Sequence, residues 1–205
     1  MKRIVSACMA LFLIAVSILT CFAVAPCVGL DSSVPPDYKQ SDSRWADVVY
    51  SNCADPSQTI RNTGCGICAA ADMIAFWFDP EVTPVEMGAL SVRLDTVSDR
   101  GGTYDRFFDL IADCYPFTAC ESTSDIARVI ICLNEGGLVI AKFSSGVWNP
   151  DHSRRHACLL YSYDIDDGFR LHDPGWPPGL MSAIIGHGSY EAVRDSVERF
   201  WLYWH

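Results

Sequence analysis

Basic residues are scarce in this 205-residue chain: 15 Lys and Arg stand against 25 Asp and Glu, for a formal net charge of -10. Binding a phosphate backbone needs Lys and Arg concentrated on one face, so the composition excludes nucleic acid as a partner. The acidic residues are scattered, as in "DPE" and "DIDD", and read as a solvated surface rather than a binding tract. Internal repeats and low-complexity tracts are absent, which excludes a solenoid or a linker-like chain. Histidine is also short. Any imidazole chemistry has to come from His152, His156, His172, His187 or His205.

Long apolar runs are limited to the N-terminus. Met1, Lys2 and Arg3 precede a stretch from Ile4 to Val24 broken only by Ser6, Ser17 and Thr20. A charged start followed by an apolar run directs export. Residues 1–29 are therefore expected to be a signal peptide, cleaved after Ala23 or Gly29, or an uncleaved N-terminal membrane anchor. Lys2 and Arg3 stay cytoplasmic and the remainder faces outward. Residues 30–36, "LDSSVPP", read as a linker, and residues 37–205 as one domain large enough for a full apolar core.

Cysteine, by contrast, is abundant. Of ten, Cys8 and Cys21 lie in the export segment, and Cys27, Cys53, Cys65, Cys68, Cys114, Cys120, Cys132 and Cys158 remain for an exterior where disulfides persist. Cys114 and Cys120 flank "YPFTA" and are placed to close a short loop. Cys132 and Cys158 sit in apolar stretches as small inert hydrophobes.

Helical signals fill the first half. "CAAADMIAFWF" from Cys68 has apolar residues all round except Asp72, which predicts a central buried helix opening near Cys65 between Gly64 and Gly66. Thr83, Pro84 and Glu86 spell an N-cap, a first helical position and a capping box. A third helix is predicted from about Thr103, with Phe107, Leu110 and Ile111 on its buried side. A fourth is predicted after Ser122 or Thr123, ending at Gly136 or Gly137. The period then turns extended in "GLVIAKFSS", "RHACLLYSYDI" and "FRLHDPG", with "DDG" at 166–168 as a hairpin turn, and Tyr190–Arg199 reads as helix before a last strand, "RFWLYW". Helices followed by an antiparallel sheet make an α+β layout.

Cysteine is the strong nucleophile available, and Cys65 lies where a helix begins, a position that favours thiolate. His156 opens an apolar strand. With the hairpin turned near residues 165 and 166, Asp173 falls opposite residue 158 and His156 becomes its diagonal neighbour, at roughly 7 to 8 Å between backbones. An Asp on the ring N–H would fix the imidazole tautomer. His172 offers a competing donor but points to the opposite face of its strand. His187 and His205 read as exposed.

"YKQSDSRW", "GCG" opening an Ala- and Met-rich helix, "RRHACLLYSY" and "HDP" together resemble stand-alone relatives of cysteine peptidase family 39, the bacteriocin-leader-processing peptidases of the papain-like superfamily. The resemblance spans about residues 37–175. It implies a papain-like fold, with Cys65 as nucleophile, His156 as general base and acid and Asp173 as its orienting group. It also suggests that the Gln40 side-chain amide joins the Cys65 N–H in an oxyanion hole. Gln40 is far upstream of the cysteine, where those relatives hold the glutamine close to it, and it reads equally as a polar loop anchor beside Trp45. Ile67 and Cys68 stand where relatives carry Pro and then Thr or Ser. "CGIC" thereby also fits the papain signature, in which the second cysteine is the nucleophile. The flanking glycines, the upstream glutamine and the downstream "HDP" favour Cys65.

Three rival readings use the same residues. A C-x-x-C at a helix start suits a thiol-disulfide oxidoreductase, although "NCADPSQTIRN" reads as loop where that fold needs a strand. Cys65, Cys68, His152 and His156 have zinc-like spacing without an obvious outer shell. A papain-like binding or cell-wall-associated module without chemistry is the third. The favoured reading is an exported hydrolase of peptide or amide bonds that needs no metal or organic cofactor. Its expected partner is a peptide or cell-wall peptide. The leader-processing members are fused to a transporter facing the cytoplasm, so leader removal is not the task expected here.

Overall fold

The computed structural model describes residues 33–52, 55–149, 155–175 and 186–205. The export segment, Cys27, Cys53 and His152 lie outside the described residues.

After an N-terminal segment come the helices α1 (Ile60–Thr63), α2 (Cys65–Trp77), α3 (Pro84–Arg93) and α4 (Arg106–Leu110), the last continued by a 3-10 turn at Ile111–Asp113. Strand β1 (Ala119–Thr123) and helix α5 (Ile126–Asn134) precede β2 (Leu138–Phe143), β3 (His156–Asp164) and β4 (Gly168–His172). β5 (His187–Gly188), α6 (Tyr190–Ser196) and β6 (Val197–Trp204) complete the fold. The six strands form one antiparallel sheet in the order β1-β6-β2-β3-β4-β5. Among the described residues no helix is long and apolar enough to cross a membrane.

Period-2 alternation divides the apolar residues of β2, β3 and β6 between the two faces of the sheet. Leu138, Ile140, Ala157, Leu159, Trp201 and Tyr203 pack on one face under α2, on which α3 packs in turn. Val139, Ala141, Phe143, Cys158, Leu160 and Leu202 pack on the other, under α5 and α6. Both faces are thus covered, and both alternating sets of these apolar residues are buried. Helix α2 is buried from Gly66 to Ala75, as its all-round apolar pattern predicts.

The capping box forms as read. Thr83 accepts from the Val85 N–H, and the Glu86 carboxylate accepts from the Thr83 N–H at 2.9 Å. The hairpin also forms at its predicted turn. Gly168 there has φ +81°, and a Cβ on it would sit 2.5 Å from the Gly188 carbonyl oxygen, so glycine is required twice over.

Several boundaries differ from the sequence reading. Residues 119–123 are a strand paired with β6, so the fourth predicted helix begins later, with Asp125 rather than Ser122 or Thr123 as N-cap. Its apolar stripe dominates the local pattern, while β1 is recognisable only through its partner. The third helix starts at Arg106, because Thr103 is committed to a bridge with Val97. Its buried aromatic pair is Phe107 and Phe108; Leu110 is only half-buried. Helix α6 stops at Ser196, where β6 takes over to pair with β2. Cys114 and Cys120 are exposed free thiols, and the loop between them is not closed by a disulfide.

Candidate active site

Cys65 occupies the first position of α2, directly after α1, whose C-cap is Gly64. The two helices meet so closely that a Cβ on Gly64 would fall 2.6 Å from the Ile60 carbonyl oxygen. Gly66 in turn faces the Phe108 ring and Thr103, its Cβ position being 3.0 Å from each. The flanking glycines therefore serve close approach; Gly64 itself has ordinary dihedrals, φ -89° and ψ 10°. As a first helical residue, Cys65 has a backbone N–H with no acceptor inside α2.

Beside this helix tip opens a cleft of about 1210 Å3 whose walls include Gln40, Thr63, Thr103, Trp148 and His156. Strand β6 braces one wall: Tyr203 Oη donates to the Phe108 carbonyl at 2.6 Å, and Trp201 Nε1 donates to Asp109 at 3.0 Å. Tyr50 Oη bonds Ser91 at 2.8 Å and Thr103 at 2.9 Å, steadying the loop that leads into α4.

The β3–β4 pairing at the site is the one expected, but it is reached through a bulge at Tyr161: next to the turn the pairs are Asp164–Gly168 and Ser162–Arg170, shifted by one. Leu159 faces His172 and Leu160 faces Leu171, which carries Asp173 opposite residue 158. Side chains close the diagonal. His156 Nε2 lies 2.6 Å from Asp173 Oδ1, and that oxygen also accepts the Gly175 N–H at 2.8 Å. Glycine at 175 is needed for the imidazole itself, since a Cβ there would stand 2.9 Å from His156 Cε1. His156 shares strand parity with Cys158 and Leu160, not with the residues packed on α2, so its ring reaches the thiol from the strand end. With Nε2 on the carboxylate, Nδ1 is the nitrogen left for Cys65.

The electrostatics pair the two groups. Burial acts to raise the Cys65 thiol, but hydrogen bonding and charge from His156, with the backbone amides of Ala157 and Gly66, outweigh it and bring the thiol below its ordinary 9.0. For His156, burial acts to lower the imidazole, while Cys158, Asp173 and Cys65 raise it well above 6.5. Cys158 is itself pushed up to about 12 by burial and is uncharged at neutral pH. The Asp173 carboxylate and the Cys65 thiolate therefore sustain the imidazolium.

Gln40 is buried in the cleft wall, with its backbone N–H on the Pro174 carbonyl at 2.9 Å. Its Nε2 donates to the Ile60 carbonyl at 2.9 Å and the Arg61 carbonyl at 3.2 Å, so both amide hydrogens are directed at α1. In this arrangement Gln40 ties the N-terminal segment to the helix before Cys65. Cys68 lies one turn into α2, fully buried, with its thiol raised well above 9.0 by burial and by Asp72. His172 takes no part with Asp173; its Nδ1 bonds the Pro36 carbonyl at 3.1 Å and its ring packs on Tyr161. His187 and His205 are exposed.

Three residues at the site escape sequence reasoning. Lys39 Nζ donates to the Asp173 carbonyl at 2.8 Å and pairs with Asp37 at 2.7 Å. Asp72 Oδ1 accepts the Tyr38 N–H at 2.8 Å, fastening the same segment to α2. Cys158 touches the catalytic-type imidazole. Two had a usable signal: Cys158, spaced two from His156 on a strand, and Asp72, the lone acidic residue in an otherwise apolar helix.

No family model matches the chain, and no curated protein matches it in sequence. Among solved structures, the fold is similar to that of a candidate C39-like peptidase from Bacillus anthracis, with a TM-score of 0.53 at 12% identity over 85% of this chain and 98% of that one. The chain has a C39-like, papain-type α+β fold.

Proposed function

We propose that this chain is an extracytoplasmic cysteine peptidase or amide hydrolase with Cys65 as nucleophile, His156 as general base and acid, and Asp173 as its orienting residue. The observation that carries this reading is the His156–Asp173 contact of 2.6 Å, with the other ring nitrogen left to a thiol at a helix N-terminus. The C39-like fold supports it, and the apolar N-terminal run motivates the location outside the cytoplasm.

The thiolate attacks an amide carbonyl carbon, forming the C–S bond and moving the π pair onto oxygen. That oxyanion forms beside the Cys65 N–H, a donor typically worth about 3 kcal/mol of barrier. Gln40 joins it only if substrate draws its amide off the Arg61 carbonyl, the longer of its two bonds. The imidazolium gives its Nδ1 proton to the amine, which departs and leaves a thioester. His156 then takes a proton from water as the hydroxyl adds, and returns it to sulfur as the acid leaves. Asp173 holds the imidazole in place throughout. A cleft of about 1210 Å3 suits a peptide or cell-wall peptide.

Treating the reduced full chain with a papain-type covalent inhibitor and mapping the label by mass spectrometry is the direct test, combined with a peptide-library cleavage assay. Labelling at Cys65 and cleavage lost in Cys65→Ser and His156→Ala are expected. Labelling at Cys68, or none, refutes the assignment.

The engagement of Gln40 on α1 favours one second reading, a papain-like binding module that keeps the reactive thiol without turnover. It predicts Cys65 labelling with no cleavage of any library member. The oxidoreductase reading gains no support from a Cys68 that is 0% exposed.

A further inference from the structure

One buried nucleophile is left unused by this chemistry. Cys158 is 0% exposed and a free thiol, on the strand that carries His156. A nitrogen of His156, the sulfur of Cys158 and a carboxylate oxygen of Asp173 all lie within 4.8 Å of one another. Asp173 is only 3% exposed, and its Oδ2 has no hydrogen-bond partner among the described residues. A buried carboxylate oxygen without a donor is costly, and a cation is one way to satisfy it.

We propose that His156, Cys158 and Asp173 form a binding site for a borderline-soft divalent cation of the zinc class, and that filling it switches the hydrolase off. The donor set of one imidazole nitrogen, one thiolate and one carboxylate oxygen is the kind zinc selects. Tetrahedral bonds of ~2.0 Å to nitrogen and oxygen and ~2.3 Å to sulfur put ligand atoms roughly 3.3 to 3.6 Å apart, so groups that lie within 4.8 Å of one another need to draw together by at most about 1.5 Å. Cys65 lies outside this group of three, so the fourth position falls to water. Binding breaks the His156 Nε2–Asp173 Oδ1 hydrogen bond or the Nδ1 contact to Cys65, and the displaced imidazolium and thiol protons go to solvent. Either loss removes the base.

The other cluster of this kind, Asp37, Asp72 and His172, also holds a buried carboxylate oxygen without a hydrogen-bond partner among the described residues, Asp72 Oδ2, but His172 Nδ1 stands 3.8 Å from it and its remaining groups are engaged. The Lys39 ammonium already sits 2.7 Å from Asp37, and His172 Nδ1 is committed to the Pro36 carbonyl.

The cation site stands independently of the hydrolase reading; only the switching-off rests on it. Reduced, metal-stripped full chain is titrated with Co2+ and Zn2+. One ion per chain is expected, with a thiolate-to-cobalt charge-transfer band that persists in Cys65→Ser and disappears in Cys158→Val. Zinc affinity, read by competition with a chromophoric chelator, should fall in Cys158→Val by more than the roughly tenfold to hundredfold that losing an outer partner costs. X-ray absorption of the zinc-loaded Cys65→Ser protein should still show one sulfur ligand, a readout that does not require the Cys158 variant to fold. Zinc should slow peptide cleavage by the wild type and not by Cys158→Val. A band lost in Cys65→Ser and kept in Cys158→Val, or unchanged zinc affinity in Cys158→Val, overturns the proposal. A bound ion with the expected spectrum in a chain that cleaves nothing leaves the site standing and removes the hydrolase.

Discussion

Asp72→Asn should make the protein's stability less sensitive to pH across neutrality. Asp72 is fully buried in α2, and burial pushes its carboxyl up from 3.8 to about 7, against the opposing effect of His172 and the Tyr38 N–H. Between those two values the folded chain holds a proton that the unfolded chain releases. The sign follows from linkage: the Asp72 contribution is fullest below pH 3.8 and is lost as pH rises through 7. Between pH 5 and 7.5 the loss amounts to about 2.5 kcal/mol, at about 1.36 kcal/mol per pH unit with each end of the titration rounded off. Asparagine keeps the Oδ1 acceptor for Tyr38 and cannot ionise. Its new amide hydrogens add a constant cost that cancels when two pH values are compared. Urea unfolding followed by tryptophan fluorescence, for both proteins at pH 5 and 7.5, measures the difference directly. The gap between variant and wild type should close or reverse by about 2.5 kcal/mol on going to the higher pH. Parallel pH profiles would refute the assignment of a proton to buried Asp72.

Iodoacetamide should alkylate Cys65 rapidly at pH 7. In His156→Ala the imidazole's hydrogen bond and charge are lost and only the Ala157 and Gly66 amides oppose burial, so the thiol moves up and the rate should fall at least about tenfold; an unchanged rate-pH profile would disprove the ion pair. Cys68→Ala should leave that fast phase intact while costing about 1 to 2 kcal/mol in denaturant unfolding, because a sulfur is removed from a fully buried site. Loss of the fast phase would transfer the nucleophile to Cys68. Gly175→Ala places a methyl group 2.9 Å from His156 Cε1 and should lower kcat by at least about tenfold with unfolding little altered; wild-type turnover would show that the ring has room.

Much of the scaffold is legible because it is written in short-range patterns. The all-round apolar run of α2, the Thr83–Glu86 capping box and the turn at 166–168 each depend on residues within a few positions of one another. The hairpin is the most informative case: its turn is legible, but a bulge at Tyr161 shifts the pairing by one, and that shifted register brings His156 and Asp173 onto one diagonal. β1 escaped because "ACEST" is mostly exposed, with a pattern no different from a loop until β6 lies beside it.

What the sequence by itself determined is a set of elements and one local pair, since propensity, capping and strand alternation act over a handful of residues. The tertiary structure alone decided which of two thiols meets the imidazole, that the Gln40 amide is turned onto α1, and that Cys158 and Asp72 are buried beside ionisable partners. Those outcomes depend on desolvation and on contacts between residues tens of positions apart, and both exist only once the helices close over the sheet.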